Sequence, residues 1–231
     1  MPDAIFARSW HELAAVAGKA AADAITASAD PRALDTALAW LDEPGNHLLT
    51  LADTRYPPAL LEIADPPTVL YVKGDPALLQ RPALAMVGAR SASPQGIANA
   101  EAFARSLAEA GFIIVSGLAL GIDAAAHRGA LAARREASTG VTIAVIGTGA
   151  DRIYPASNAT LAREIAVSGV IVSEFPLTTP PKRQNFPRRN RLIAGLTRGV
   201  LVVEAALGSG SLITARLAAE SGREVFARVR R

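Results

Sequence analysis

Short apolar runs alternate with amphipathic segments from residue 83 onward. The runs are rich in β-branched residues, whereas segment 95–110 places Ile97, Ala100, Ala104 and Leu107 on one helical face. The pattern predicts strands at 83–88, 112–116, 142–147, 170–173, 199–204 and 224–228, and helices at 95–110, 121–134, 158–168, 187–197 and 210–221. Nearly continuous apolar strands that alternate with helices predict an α/β fold: a Rossmann-like, doubly wound, mostly parallel sheet.

The N-terminal part has a different pattern. Its first 45 residues are helical in character, and Asp30 and Pro31 are suited to cap and open one of the helices. We therefore expect a small helical domain over 1–45 and the Rossmann-like domain over 46–231. The latter opens with a proline-rich connector that contains one strand-like run, Thr68 to Val72.

Composition narrows the class of protein. Half of the 231 residues are hydrophobic and 19% are charged, which suits a folded protein with a substantial core. The absence of cysteine excludes disulfides, thiolate nucleophiles and cysteine-rich zinc sites. The N-terminus does not resemble a signal peptide and no apolar run reaches about 18 residues, so we expect a cytoplasmic protein with no membrane partner.

Charge is distributed unevenly along the chain. Residues 1–80 hold 5 Lys/Arg and 11 Asp/Glu, whereas residues 81–231 hold 19 and 10. The densest basic stretch, PKRQNFPRRNRLIAG at 181–195, lies in a window (176–203) that contains six cations and no acid. Such a concentration indicates a polyanionic partner, although a solvated helix face or internal ion pairs remain alternatives.

The turns that follow the predicted strands are small and polar, and five of them should meet at one edge of the sheet, where backbone N–H groups can bind anions. None of them matches a P-loop or a complete dinucleotide fingerprint: GARSAS has one glycine, and GTGADR and GSGSLI each lack the third. A lone G-x-G is weak evidence, and a tight strand-to-helix turn explains these segments better than a nucleotide site does.

Catalytic groups are sparse. His11 and His47 lie in the acidic N-terminal part, and the serines of the turns have no nearby histidine and acid to activate them. Asp123 and His127 are spaced i, i+4 on one predicted helix, which favours an N-terminal Asp with a helical hydrogen-bond partner over catalysis. Phe186, in contrast, lies among the cations of the basic stretch, and aromatics beside arginine are the working parts of single-strand binding.

The chain closely resembles the DNA-processing protein A family (DprA, also called Smf). The resemblance rests on motifs that occur in the family's order: VGARSASPQG, SGLALGIDAAAHRGAL, AVIGTGADRIYP, SEFPL, NFPRRNRLIAGL and VLVVEAALGSGSLITARLA, with the lead-in YPPALLEIADPPTVLYVKGD. It covers about residues 40–226, and residues 1–45 are similar in position to the family's small SAM-like domain.

This resemblance implies a protein without catalytic residues, cofactor or metal that binds single-stranded DNA in natural transformation, protects the incoming strand and loads the RecA recombinase. The implied DNA pocket lies at the strand-end edge of the sheet. Carried over to this sequence, and including the neighbouring cation Lys182, its residues are Gly88, Arg90, Ser116, Gly117, Gly121, Lys182, Arg183, Asn185, Phe186, Arg188, Arg189, Asn190 and Arg191.

Two positions depart from the family pattern. Ala89 stands where the family commonly has Ser or Thr. Family members also continue after the segment REVFA into a further core segment and work as dimers through the late part of the core. Because this sequence ends at Arg231, we expect a truncated C-terminal end, and a monomer or weak dimer in place of the family's homodimer.

Two other functions compete with this interpretation. Nucleoside-monophosphate phosphoribohydrolases share the Rossmann subtype, but Ile213, Thr214 and Ala215 stand where their catalytic Glu would be needed. A protein-interaction scaffold is the second alternative, and it predicts no salt-dependent binding of DNA.

Overall fold

The structure, a computed structural model, describes residues 2–27, 30–133, 141–206 and 208–227. The chain divides into two compact units, Met1–Ala39 and Trp40–Arg231. A domain boundary at residue 45 stays a prediction.

The first unit is helical in its described part. The helices are α1 (Pro2–Phe6), α2 (Trp10–Ala17), α3 (Lys19–Thr26) and the first residues of α4 (Pro31–Leu41). Helix α2 begins with a capping box, because the Ser9 side chain accepts from the N–H of Glu12 while the Glu12 carboxylate accepts from the N–H of Ser9. Trp10 Nε1 donates to Asp23 at 2.7 Å and ties α2 to α3.

The second unit contains the remaining elements. The strands are β1 (Asn46–Thr50), β2 (Val69–Gly74), β3 (Ala83–Val87), β4 (Ile113–Ser116), β5 (Thr142–Val145), β6 (Val170–Ser173), β7 (Gly199–Val202) and β8 (Glu224–Ala227). The helices are α5 (Pro58–Leu61), α6 (Pro94–Glu109), α7 (Ile122–Ala132), α8 (Ala159–Ser168), α9 (Asn185–Gly195) and α10 (Gly210–Glu220), with 3-10 turns at Pro76–Gln80 and Ala156–Asn158. No helix of the described ranges combines the length and the apolar character that crossing a membrane requires.

The strands form one mixed sheet in the order β1-β2-β6-β5-β4-β3-β7-β8. Strands β3 to β8 run parallel, and β1 and β2 add an antiparallel edge. The Rossmann-like prediction is confirmed. Two predicted ranges extend past the described residues: position 134 of the helix at 121–134 and position 228 of the strand at 224–228 lie outside them.

The sequence pattern does not predict strand β1. The strand exists because Leu49 pairs with Leu70 of β2, and both side chains are fully buried. Its short NHLLT pattern is too weak to predict a strand without that partner.

The core occupies both faces of the sheet. On one face Val87, Val115 and Val145 pack against Leu192 and Ile193 of α9. On the other face Met86 and Ile114 pack with α6 and α7, and Ala144 and Ile171 pack with α7 and α8. Since β4 and β7 flank β3, the chain reverses its order across the sheet at β3, and the crevice beyond the carboxyl ends of these strands is where such folds bind ligands.

Candidate nucleic-acid interface

A cavity of about 650 Å³ opens at this reversal point. Its walls come from the turns after β3, β4, β5 and β7, from α9 and from the segment that precedes α9. Six of the residues implied by the family resemblance line it: Gly88, Arg90, Arg183, Phe186, Arg189 and Asn190. The other seven do not: Ser116, Gly117, Gly121, Lys182, Asn185, Arg188 and Arg191.

Two exposed cations stand at the cavity. Arg90 follows β3 and Arg183 precedes α9, and neither makes an ion pair within the described residues. The guanidinium carbon of Arg90 lies 5.8 Å from the centroid of the Phe186 ring, which is within cation–π range. Lys182 is exposed next to Arg183 but outside the lining. These side chains can therefore offer positive charge to a ligand.

An aromatic pair forms another part of the wall. Phe186 and Tyr154 have ring centroids 5.5 Å apart at an interplanar angle of 42°. Tyr154 is 47% exposed and was not among the sequence-predicted residues, although it stands in the GTGADRIYP turn that was singled out for its glycines. Phe186 also lies over the backbone of Gly147, where a Cβ would come within 3.0 Å of the ring. The pair presents aromatic surface beside Arg90.

Arg189 also lines the cavity, but its side chain is buried inside the domain. It is 4% exposed and its Nη1 donates to the carbonyl of Val145. The guanidinium lies against Gly117, where a Cβ would fall 2.2 Å from Nη1. Burial lowers the pKa of Arg189 to about 10, and the charge of Asp123 opposes this fall. Arg189 therefore stays a cation at neutral pH and contributes positive potential to the cavity from a buried position.

Asp123 is the nearby buried acid. Its Oδ2 accepts from the backbone N–H groups of Gly117 and Ala119 at 3.1 and 3.3 Å, which fixes the turn after β4. Burial raises the pKa of Asp123, while Arg189 and the N–H donors oppose the rise. No contact of 4 Å or less joins the Asp123 and Arg189 charges in the described structure, so they interact across a gap.

His127 is a core residue with a defined tautomer. Thr142 donates its hydroxyl hydrogen to the carbonyl of Ile114 at 2.7 Å, so its oxygen can only accept from Nδ1 of His127, also at 2.7 Å. Nε2 is buried and has no hydrogen-bond partner among the described residues. Burial lowers the pKa of His127 to about 3, and Arg189 and Arg128 contribute to the fall. Asp123 and His127 share a helix, but in the described structure they bond different partners: Asp123 accepts from the turn after β4, and His127 contacts Thr142 at the start of β5.

The buried His127 predicts a pH dependence of stability. In the unfolded chain the pKa of a histidine is about 6.5. Between that pH and the folded pKa of about 3, His127 therefore binds a proton in the unfolded chain but not in the folded one. The stabilisation is present above pH ~6.5 and is lost as the pH falls. Between pH ~7 and pH ~5.5 the wild type should lose about 1 kcal/mol more than His127→Asn, which keeps a donor for Thr142.

Urea unfolding of both proteins at the two pH values measures this difference. His11, His47 and the carboxylates are common to both proteins and cancel in the comparison. Equal losses of unfolding free energy would show that His127 is not held neutral in the folded state.

Arg191 and Arg188 are bound to acids of the same domain. Arg191 forms ion pairs with the 4% exposed Glu174 and, at 3.3 Å, with Asp65, while Arg188 reaches Glu174 at 3.6 Å. Burial raises the pKa of Glu174, and Arg191 and Arg188 oppose the rise. Glu174 lies two positions before the acid-free window (176–203), so the charge count over that window did not include it. Arg191 therefore holds α9 against the turn after β6 and does not face the cavity.

The remaining predicted residues fix the walls. Asn185 donates to the carbonyl of Gly147 at 3.0 Å and Asn190 to that of Gly210 at 3.1 Å, so α9 is tied to two of the turns. Ser116 donates to the carbonyl of Met86 at 2.6 Å.

Gly88 and Gly121 allow the turn after β3 and the turn before α7 to contact each other. A Cβ on Gly121 (φ +72°) would fall 2.2 Å from the carbonyl of Ala89, and a Cβ on Gly88 would fall 2.5 Å from Ile122. The absent side chains let the turn after β3 pack directly against the start of α7.

The N-terminus of α6, where Rossmann enzymes bind a pyrophosphate, is occupied by the protein itself. The carboxylate of Glu204, from the turn after β7, accepts from the backbone N–H of Ser93 at 3.1 Å and from its hydroxyl at 2.7 Å. A Cβ on Gly96 would fall 2.2 Å from the same carboxylate. The first strand-to-helix turn thus has an internal anion.

The sequence from residue 47 to residue 231 matches the family model of DNA recombination-mediator protein A. The chain belongs to this family. The resemblance expected from the motifs is confirmed, and so is the fold that came with it.

Named relatives agree with this assignment. Protein Smf of Escherichia coli (strain K12) is 48% identical over 197 residues, which is 85% of this chain and 51% of the relative. The chain thus spans about half the length of that family member.

Solved structures of the family have the same architecture. DNA processing protein A from Streptococcus pneumoniae superposes with a TM-score of 0.82 at 39% identity, over 95% of this chain and 75% of that one. The Helicobacter pylori protein, whose structure was described for its single-stranded DNA binding mode, has a TM-score of 0.71 at 35% identity, over 80% of this chain and 82% of that one.

Proposed function

We propose that this chain binds single-stranded DNA in the cavity at the carboxyl edge of its sheet, as a non-enzymatic protein that processes and protects DNA strands in natural transformation. One observation carries the proposal: the Phe186–Tyr154 pair and the exposed Arg90 and Arg183 line the same cavity. Unpaired bases can stack on the rings while the cations bind the phosphates between them.

The family membership supports this choice of ligand. The Helicobacter pylori relative was described for its binding of single-stranded DNA, and it covers 80% of this chain. The N-terminus of α6, the usual pyrophosphate site of dinucleotide-binding folds, also holds the Glu204 carboxylate, which disfavours a dinucleotide there.

The residues fall into three groups in this proposal. Arg90, Arg183, Phe186 and Tyr154 would touch the strand, with Lys182 within reach of its backbone. Arg189 would add positive potential from inside the wall. The remaining residues would position these groups: Gly88, Ser116, Gly117, Gly121, Asn185, Arg188, Asn190 and Arg191.

RecA and a second copy of the chain enter the proposal as partners through the family resemblance alone. The phosphoribohydrolase alternative gains nothing from the geometry: Ile213 and Ala215 lie within α10 where that enzyme needs an acid, and the Glu204 carboxylate is engaged with Ser93.

Preference for single strands tests the proposal. Duplex DNA hides the faces of its bases, so the stacking contribution of about 1 kcal/mol or more per base is available only to unpaired strands. We therefore expect a fluorescein-labelled oligo-dT to bind at least about fivefold more tightly than a matched duplex in anisotropy titrations at equal salt. Equal or tighter binding of the duplex would contradict the proposal.

A further inference from the structure

A second, smaller cavity is lined by residues that neighbour those of the first along the chain. It has a volume of about 120 Å³ and is lined in part by Lys73, Arg152 and Arg163. Arg152 and Arg163 are exposed and make no ion pair within the described residues, while Lys73 makes a loose surface pair with Glu43 at 3.6 Å. Asp151 also lines the cavity, so three cations and one carboxylate leave it positively charged.

Two turns contribute to both cavities: the segment that follows β4, through Leu118 and Ala119, and the segment that follows β5, called the shared turn below. Arg152 and Ile153 line the small cavity, whereas the next residue, Tyr154, lines the large one. Two residues of chain span at most about 7 Å, so the backbone at Arg152 lies within that distance of the backbone at Tyr154. Ile153 is 38% exposed and Tyr154 is 47% exposed, so both side chains reach the surface where the chain passes from one lining to the other.

The shared turn is held rigidly. The Thr148 hydroxyl donates to the carbonyl of Arg152 at 2.8 Å, and the N–H of Arg152 donates to the carbonyl of Gly149 at 2.9 Å. Segment 178–179 also holds the turn in place. The N–H of Thr178 donates to Asp151 at 2.8 Å, and the N–H of Gly149 donates to the carbonyl of Thr179 at 3.0 Å. Arg152 is thus presented on a preorganised backbone, which lowers the entropy lost when a ligand binds.

We infer that a bound DNA strand leaves the large cavity over Ile153 and Tyr154 and continues into the small cavity, where Arg152, Arg163 and Lys73 bind its phosphates. This inference rests on the proposed function, and it makes the turn after β5 a bridge between two phosphate-binding sites. The chemistry fits a strand because the cations are separated from the aromatic pair by apolar side chains that a base can cover.

The test uses the whole chain and a ladder of labelled oligo-dT from about 4 to about 20 nucleotides, which brackets the site sizes of single-strand-binding grooves. The variant Arg152→Ala/Arg163→Ala should bind the shortest oligonucleotide that the wild type binds with unchanged affinity. On long oligonucleotides its log–log salt slope should be flatter by about 1.4, since each lost cation removes about 0.7 of a released counterion.

A matched control removes the same charge elsewhere. Arg105 and Arg198 are exposed, line neither cavity and lie toward the amino ends of the strands, so Arg105→Ala/Arg198→Ala should leave the slope unchanged at every length. If both double variants flatten the slope equally, the effect is one of net charge and the inference is wrong. It is also wrong if the Arg152→Ala/Arg163→Ala variant follows the wild type at all lengths, a result that leaves the large cavity as the DNA site. If the wild type binds no oligonucleotide, the proposed function itself fails.

Discussion

Replacement of Arg189 by alanine should lower the free energy of unfolding by about 3 kcal/mol. Removal of one partner from a buried pair in direct contact typically costs about 3–5 kcal/mol; Arg189 and Asp123 interact across a gap and the desolvation of the guanidinium is relieved, so the lower end of that range applies. The alanine leaves the carbonyl of Val145 without its donor, leaves Asp123 without the nearby cation and opens a cavity beside Gly117. Urea unfolding at neutral pH measures the loss.

Two controls identify the cause. Arg183→Ala removes an exposed cation from the same stretch and should change stability by less than about 0.5 kcal/mol. Asp123→Asn in the Arg189→Ala background removes the uncompensated carboxylate, so the double variant should lose less than the sum of the two single losses. An unfolding free energy of Arg189→Ala within about 0.5 kcal/mol of the wild type would show that the charge is not part of the core.

Replacement of Phe186 by alanine should weaken the binding of oligo-dT by about 1–3 kcal/mol, or about 5- to 150-fold in Kd. The ring forms the face on which a base can stack, and it also supports Tyr154 and receives the Arg90 guanidinium. Because stacking releases no counterions, the salt slope should stay unchanged while the affinity falls at every salt concentration.

Arg183→Ala provides the contrasting result in the same assay. It should flatten the slope by about 0.7 and weaken binding most at low salt. Phe103, on the distant surface of α6, is 42% exposed, so Phe103→Ala controls for the loss of an exposed ring and should bind like the wild type. If Phe186→Ala binds like Phe103→Ala, the aromatic pair does not contact the strand.

The sequence predicted the parallel part of the fold because its signals are local. Each apolar run from residue 83 onward is long enough to identify a strand, and the strand at 170–173 was predicted to the residue. Strand β1 was missed because its evidence is a partner, Leu70, that lies 21 positions from Leu49 along the chain. Pairing of that kind is not visible in a five-residue pattern.

The candidate site was predictable in place but not in detail. Charge density located the stretch around Phe186, yet it could not separate the exposed Arg183 from the buried Arg189 or from the paired Arg191. That separation depends on Glu174, Asp65 and Gly117, which come from three other parts of the chain. Tyr154 was not predicted for a similar reason: no local sequence pattern indicates that its ring lies beside that of Phe186.

The Glu204 carboxylate affects which small molecules can bind at the carboxyl edge of the sheet. A carboxylate fixed to the fold next to Ser93 acts as an intramolecular competitor, and tethered groups reach effective concentrations of about millimolar or more. A free nucleotide that approached the N-terminus of α6 would have to displace this group against that local concentration. We therefore expect Glu204 to disfavour mononucleotides at the N-terminus of α6.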